Sequence, residues 1–149
     1  MKRILALIDF SSVTAAVVKI ARDLARAFDG ELTLVHVVQT ESDFDDAAVE
    51  ENRAGLAVTR LAHQREMEIL TIALRKEGIT VAAHVVEARS PGENVIGKIL
   101  KELAKLSPDL VVLGSHGHGR LYQLLVGSVT DTVIHKVAYP VLIVPSSKA

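Results

Sequence analysis

The sequence predicts an α/β domain in which helices cover both faces of a parallel sheet. Two observations predict it: five short runs rich in Val, Ile and Leu recur along the chain, and the stretches between them carry apolar residues at helical spacing. A third observation points to one end of that sheet. The segment GSHGHGRLYQLLVGS, Gly114 to Ser128, opens directly after the fourth apolar run. Open α/β sheets bind ligands at the carboxyl ends of their strands.

Each element follows in order. Ile4 to Ile8 reads as the first strand. Val13, Val17, Ile20, Leu24 and Phe28 then recur at helical spacing up to Asp29-Gly30, where glycine suits a helix C-terminus. Leu32 to Val38 is the second strand. Gln39 to Glu51 holds Glu41, Asp43, Asp45, Asp46, Glu50 and Glu51, and such an acidic run reads as a solvated, mobile loop. Its alternative is a lid over a site. A second helix is expected to fill much of Val49 to Glu77, with Leu56, Met67, Leu70 and Leu74 on its buried stripe and Gly78 ending it. Val81 to Val86 is the third strand. Ser90 caps a third helix, Pro91 sits where a missing N–H costs nothing, and Glu93 completes a capping box; Ile96, Ile99, Leu100 and Leu103 face inward. Leu110 to Leu113 makes the fourth strand. A last short helix is expected from near Ser128, carrying Val129, Val133 and Val137, before the fifth strand, Val141 to Val144. His36 and His84 fall inside strands and are expected to pack or hydrogen-bond there.

Alternating strands and helices imply right-handed crossovers and a doubly wound sheet. A single domain is expected over residues 1–149, with no internal repeat.

Composition removes several classes of function. A formal net charge of -1 gives no electrostatic footprint for nucleic acid or anionic lipid. With no cysteine there is no disulfide, Cys-ligated zinc or thiol nucleophile. No apolar run is long enough to span a bilayer, and Met1-Lys2-Arg3 leads straight into a strand rather than a signal peptide. The expectation is a cytoplasmic protein that is not inserted in a membrane.

The glycine-rich segment departs from both common phosphate loops. Gly114 and Gly119 have the spacing of a Walker A motif but are followed by Arg120 and Leu121 instead of lysine and a hydroxyl residue. A dinucleotide fingerprint needs glycine where Tyr122 stands. What remains is a loop whose glycines let backbone N–H groups approach phosphate oxygens. Gly127-Ser128-Val129-Thr130 adds a helix N-terminus, whose free N–H groups and dipole favour an anion.

The pattern Gly114, Gly117, Gly127-Ser128 resembles the signature of the ATP-binding branch of the universal stress proteins. Ile4-Leu5-Ala6-Leu7-Ile8-Asp9-Phe10-Ser11 is similar to that family's first strand and its aspartate, and Leu34-Val35-His36-Val37 to its second. Pro108-Asp109-Leu110-Val111-Val112-Leu113-Gly114-Ser115-His116-Gly117 and Tyr139-Pro140-Val141-Leu142-Ile143-Val144-Pro145 are similar to its fourth and fifth. The resemblance implies a Rossmann-like, adenine nucleotide alpha hydrolase-like domain with five parallel strands in the order 3-2-1-4-5. It implies that Asp9 contacts adenine, that the backbone of Val37 reads the base edge and that Leu7 lies near the ribose. Gly114, Ser115 and Gly117 correspond to ribose and first-phosphate contacts, Gly127, Ser128, Val129 and Thr130 to the cradle for the outer phosphates, and Leu113 and His116 are counted among the nucleotide-binding residues. It further implies ATP, or AMP or ADP, with Mg or Mn; a homodimer through residues 141 to 145 that can assemble into a tetramer; and a protein or transporter partner.

Structural roles compete for several of these residues. Asp9 or Ser11 can cap the first helix, and Gly127 can simply break one. His116 and His118 form a His-X-His pair with no third ligand at recognisable spacing, the pattern of solvated loop histidines rather than of a dedicated metal site. Phosphoryl transfer needs a nucleophile, charge neutralisation and a base. The chain offers a cradle without that machinery, so no catalytic residue is assigned and a nucleotide-dependent regulatory switch in stress response is favoured. The rival is a slow ATPase or a phosphotransferase that modifies its own Ser128 or Thr130. A flavodoxin-like carrier, suggested by Ser11, Ser12 and Thr14, has little aromatic surface for a flavin, with three Phe, two Tyr and no Trp.

Overall fold

A computed structural model of the chain describes residues 1–39, 46–88, 95–115, 133 and 135–145. Their elements are β1 (Arg3–Leu7), α1 (Thr14–Phe28), β2 (Glu31–Gln39), α2 (Asp46–Lys76), β3 (Thr80–Ala88), α3 (Val95–Leu106), β4 (Leu110–Gly114) and β5 (Val141–Val144). The five strands form one parallel sheet in the order β3-β2-β1-β4-β5. The direction of winding therefore reverses between β1 and β4, the place where such sheets open a crevice.

Alternation along the strands sorts the core into two layers, because successive side chains point to opposite faces. Ile4, Ala6, Leu32, Leu34, Leu110 and Val112 pack with Val17, Ala21 and Ala25 of α1 and Met67 and Leu74 of α2. Leu5, Val35, Val37, Val111 and Leu113 pack with Ile99 and Leu103 of α3 and with Val133. β4 is buried along its whole length, as a strand covered on both faces must be. Asp109 fixes its start beside β1. The backbone N–H groups of Lys2 and Arg3 both donate to Asp109 Oδ2 at 2.8 Å, and the Asp109 N–H donates to the Arg3 carbonyl at 2.8 Å. These two donors, that of Arg3 first, hold the Asp109 carboxyl below its ordinary value.

Several local expectations change. The left-handed residue that ends α1 is Asp29, at φ 50, and not Gly30. The Asp29 N–H donates to the Arg26 carbonyl and the Gly30 N–H to the Ala25 carbonyl, which closes a Schellman motif. Gly30 is glycine for a different reason: a Cβ there would lie 2.7 Å from the Lys2 carbonyl oxygen. Gly78 does end α2 in the expected way, at φ 83.

The acidic stretch is not a loop throughout. Gln39 closes β2, and Asp46, Glu50 and Glu51 lie in α2, which begins at Asp46; residues 40–45 are outside the described residues. Acidic residues suit the first turns of a helix, where unpaired N–H groups carry partial positive charge. Of the expected α2 stripe, Met67 and Leu74 are buried and Leu70 is half-buried. The cap proposed at Ser90, Pro91 and Glu93 falls outside the described residues. So do Ser128 and Val129, whereas Val133, His135 and Lys136 are helical and Val137 lies just past them, donating to the Val133 carbonyl at 3.1 Å. His84 is exposed rather than packed, because β3 is an edge of the sheet. Among the described residues no helix is long and apolar enough to cross a membrane.

Candidate functional site

The carboxyl ends of β1 and β4 build the candidate site. The β1–β4 ladder pairs Ala6 with Val112. Past that ladder, Asp9 comes two residues after the end of β1 and Ser115 directly after the end of β4. Beyond β1, the Ile8 N–H still donates to the Val35 carbonyl at 2.9 Å, so β2 carries the chain as far as Asp9.

Asp9 serves two ends. Its Oδ1 accepts hydrogen bonds from the Ser11 N–H at 3.0 Å and from Thr14 Oγ1 at 3.3 Å, which fixes the turn into α1. Asp9 therefore fixes the turn before α1 without capping the helix: the N-cap residue is Val13, it makes no side-chain cap hydrogen bond, and the partners of Asp9 are the Ser11 N–H and the Thr14 hydroxyl rather than helix N–H groups. Its Oδ2 is buried and, among the described residues, has no hydrogen-bond partner; Ser11 Oγ is in the same condition. Buried polar atoms are rarely left unpaired, since each costs about 1–3 kcal/mol. A carboxyl oxygen of this kind calls for a donor such as an amine or a sugar hydroxyl.

Gly114 ends β4 against the start of α1. A Cβ on Gly114 would lie 2.6 Å from Val13 Cγ1, closer than any real contact, so this glycine lets the first turn of α1 settle on the strand end. Phosphate approach is not needed to explain it. Ser115 follows, half-buried, and its N–H already donates to the Val144 carbonyl at 2.9 Å, which extends the β4–β5 pairing. That N–H is thus committed to β5. Leu7 is the half-buried last residue of β1, and Leu113 is fully buried in β4. Val37 is buried two residues before the end of β2, so the strand continues further than the sequence suggests. His116, Gly117, Gly127, Ser128, Val129 and Thr130 lie outside the described residues.

At the opposite end of the sheet is a cavity of about 250 Å³, lined by Arg3, Glu31, Thr33, Lys105 and Pro108 among others. It sits at the amino ends of β1 and β2, where parallel sheets do not present a ligand crevice, and Arg3 there faces Glu31 at 3.7 Å.

The sequence model of the universal stress protein family matches residues 1–145. The chain belongs to the universal stress protein family. Universal stress protein A homolog 1 of Coxiella burnetii is 30% identical over 148 residues, spanning 96% of this chain and 95% of that one. Among solved structures, protein MJ0577 of Methanocaldococcus jannaschii superposes with a TM-score of 0.74 at 28% identity, over 99% of this chain and 98% of its own. A universal stress protein of Archaeoglobus fulgidus, solved in complex with dAMP, shares the fold with a TM-score of 0.63 at 19% identity, over 96% and 97% of the two chains. These likenesses agree with the α/β fold and strand order of this universal stress protein domain.

A group of residues beside Asp9 escapes sequence reading. His36 Nδ1 lies 2.8 Å from the Ile8 carbonyl, and His36 Nε2 lies 3.0 Å from His63 Nδ1 on α2. The Phe10 ring is stacked on His63 at 4.8 Å and meets His36 edge-on, also at 4.8 Å. Burial pushes His36 down to about 4, so its imidazole is neutral. The location of His36 inside a strand was legible. Nothing marked His63, one polar residue among many on α2, as its partner.

Among the described residues there is no cluster of three or more His, Cys, Asp or Glu that could hold a metal ion.

Proposed function

We propose that this universal stress protein binds an adenine nucleotide at the carboxyl ends of β1 and β4 and that occupancy acts as a switch in stress response. The supporting observation is the buried, unpaired Oδ2 of Asp9. It is an acceptor held in place through its sister oxygen, and the exocyclic amine of adenine is a donor of the right kind. Ser11 Oγ offers a second polar contact. Leu7, Val37 and Leu113 supply apolar walls or backbone around base and ribose, and Gly114 and Ser115 line the step from ribose to phosphate. His116, Gly117, Gly127, Ser128, Val129 and Thr130 take the phosphates of ATP, or of ADP or AMP in its place. Mg or Mn accompanies the nucleotide by neutralising its phosphate charge.

Asp9→Asn tests the base contact with little disturbance of the turn, since the amide oxygen can still accept from Ser11 and Thr14. It replaces the free acceptor with a donor that opposes the adenine amine. Calorimetry is expected to show nucleotide affinity falling roughly tenfold to a hundredfold, the range for a hydrogen bond to a charged group. Equal affinity in Asp9→Asn and the parent, or no adenine nucleotide released when the purified protein is denatured and analysed by mass spectrometry, defeats the reading.

The proposal extends to self-association. β5 is an edge of the sheet, VLIV carries no charge to discourage pairing, and Ile143 is exposed on it. A homodimer through residues 141 to 145, assembling further to a tetramer with nucleotide bound, covers that edge. Sedimentation at micromolar concentration is expected to show the dimer, and a monomer alone rejects it.

A further inference from the structure

Asp9 lies between two residues that the same pair of histidines grips. On one side, the Ile8 carbonyl is 2.8 Å from His36 Nδ1; on the other, the Phe10 ring stacks on His63 with an interplanar angle of 21°. Phe10 is at φ 59, a left-handed conformation that is unfavourable for a non-glycine residue and persists only where the surroundings impose it. His63 belongs to α2 and is half-buried, so the grip reaches the loop after β1 from a helix distant in sequence.

The chemistry sets the direction of each hydrogen bond. A carbonyl can only accept, so His36 Nδ1 carries the proton and donates to Ile8. A neutral His36 then presents a lone pair at Nε2, which accepts from the Nδ1–H of His63. The result is a chain of donors running from α2 through β2 to the end of β1.

We infer that His63, acting through His36, is a positioning residue: the two hold Ile8 and Phe10 so that Asp9 keeps its place, and they thereby couple the placement of α2 to affinity at the strand ends. The coupling to affinity rests on the nucleotide reading above. The effect on the loop does not.

Two substitutions at His63 separate a relay of hydrogen bonds from simple packing. His63→Phe keeps a ring to stack on Phe10 but has no donor. His63→Asn gives up the ring and sets an amide donor close to the position of Nδ1. The first measurement is hydrogen exchange at the Ser11 amide, whose N–H is bonded to Asp9 Oδ1 and so reports on the seat of Asp9. The second is calorimetry with ATP. His63→Phe is expected to speed Ser11 exchange and to weaken ATP binding, each about tenfold, the worth of one buried hydrogen bond. His63→Asn is expected to retain most of what His63→Phe loses.

The reverse order, with His63→Phe near the parent and His63→Asn impaired, overturns the relay in favour of ring packing. Unchanged Ser11 exchange in both variants overturns it outright. If the parent protein binds no nucleotide, the proposed function and the coupling to affinity both fail, and the Ser11 exchange rates alone decide whether the relay seats the loop.

Discussion

Gly114→Val is expected to lower the free energy of unfolding by about 3 kcal/mol, the upper end of the usual cost of overpacking a well-filled core. A Cβ at that position would stand 2.6 Å from Val13 Cγ1 and 3.3 Å from its Cγ2. Neither side has room to give. Val13 is buried, its branched side chain has few rotamers, and it sits directly before the first turn of α1. Moving α1 away would shift Thr14, which bonds to Asp9, so the substitution is also expected to disturb the site. The smaller change Gly114→Ala allows a clean test in a double-mutant cycle with Val13→Ala. If the contact with Val13 is the reason for glycine, the double variant recovers at least about 1 kcal/mol relative to the sum of the single ones. Urea unfolding reads that recovery. Nucleotide affinity of the double variant answers a separate question: recovered stability without recovered affinity means that a ligand also needs the space.

Acidification is expected to destabilise the protein through His36. Folding lowers its proton affinity from an ordinary 6.5 to about 4, because burial opposes the charged ring; the Ile8 carbonyl and the Asp9 charge oppose that shift in part, and His63 adds to it. Between these values the unfolded chain binds the proton and the folded chain does not. Stability therefore falls as pH is lowered through this window, from a full contribution above 6.5 to none below about 4. At about 1.36 kcal/mol for each tenfold change in proton affinity, the whole window is worth roughly 3 kcal/mol. His36→Asn places a non-titrating amide donor toward the Ile8 carbonyl. Urea midpoints taken between pH 7.5 and 4.5 are expected to fall less steeply in this variant than in the parent. Equal slopes would show that His36 does not carry the effect.

Much of the fold was legible because strand and helix patterns are local. Each of the five strands was read to within two residues of its observed ends. Buried parallel strands are short continuous apolar runs, and nothing else in this chain has that look. Misreadings came where a local signal had two physical outcomes. Acidic residues favour both solvated loops and helix N-termini, and Asp46 to Glu51 took the second. Glycine after a helix suggests a left-handed cap, yet Asp29 adopts it and Gly30 answers to the Lys2 carbonyl. A histidine in a strand suggests packing, which holds at His36 near the centre of the sheet and fails at His84 on its edge. In each pair the deciding fact is a neighbour distant along the chain.

Periodicity, turn chemistry and motif spacing sufficed for the strands, the first three helices and the family, and they singled out Asp9 and Gly114 as candidates. What those two residues touch belongs to the tertiary structure. It showed that Gly114 makes room for Val13, that the Ser115 N–H is spent on β5, that among the described residues one oxygen of Asp9 is used and the other is not, and that His63 reaches the loop from α2. Those are facts about close approach between residues far apart in the chain. Periodicity specifies which face of an element is buried, and only packing specifies which atoms meet there.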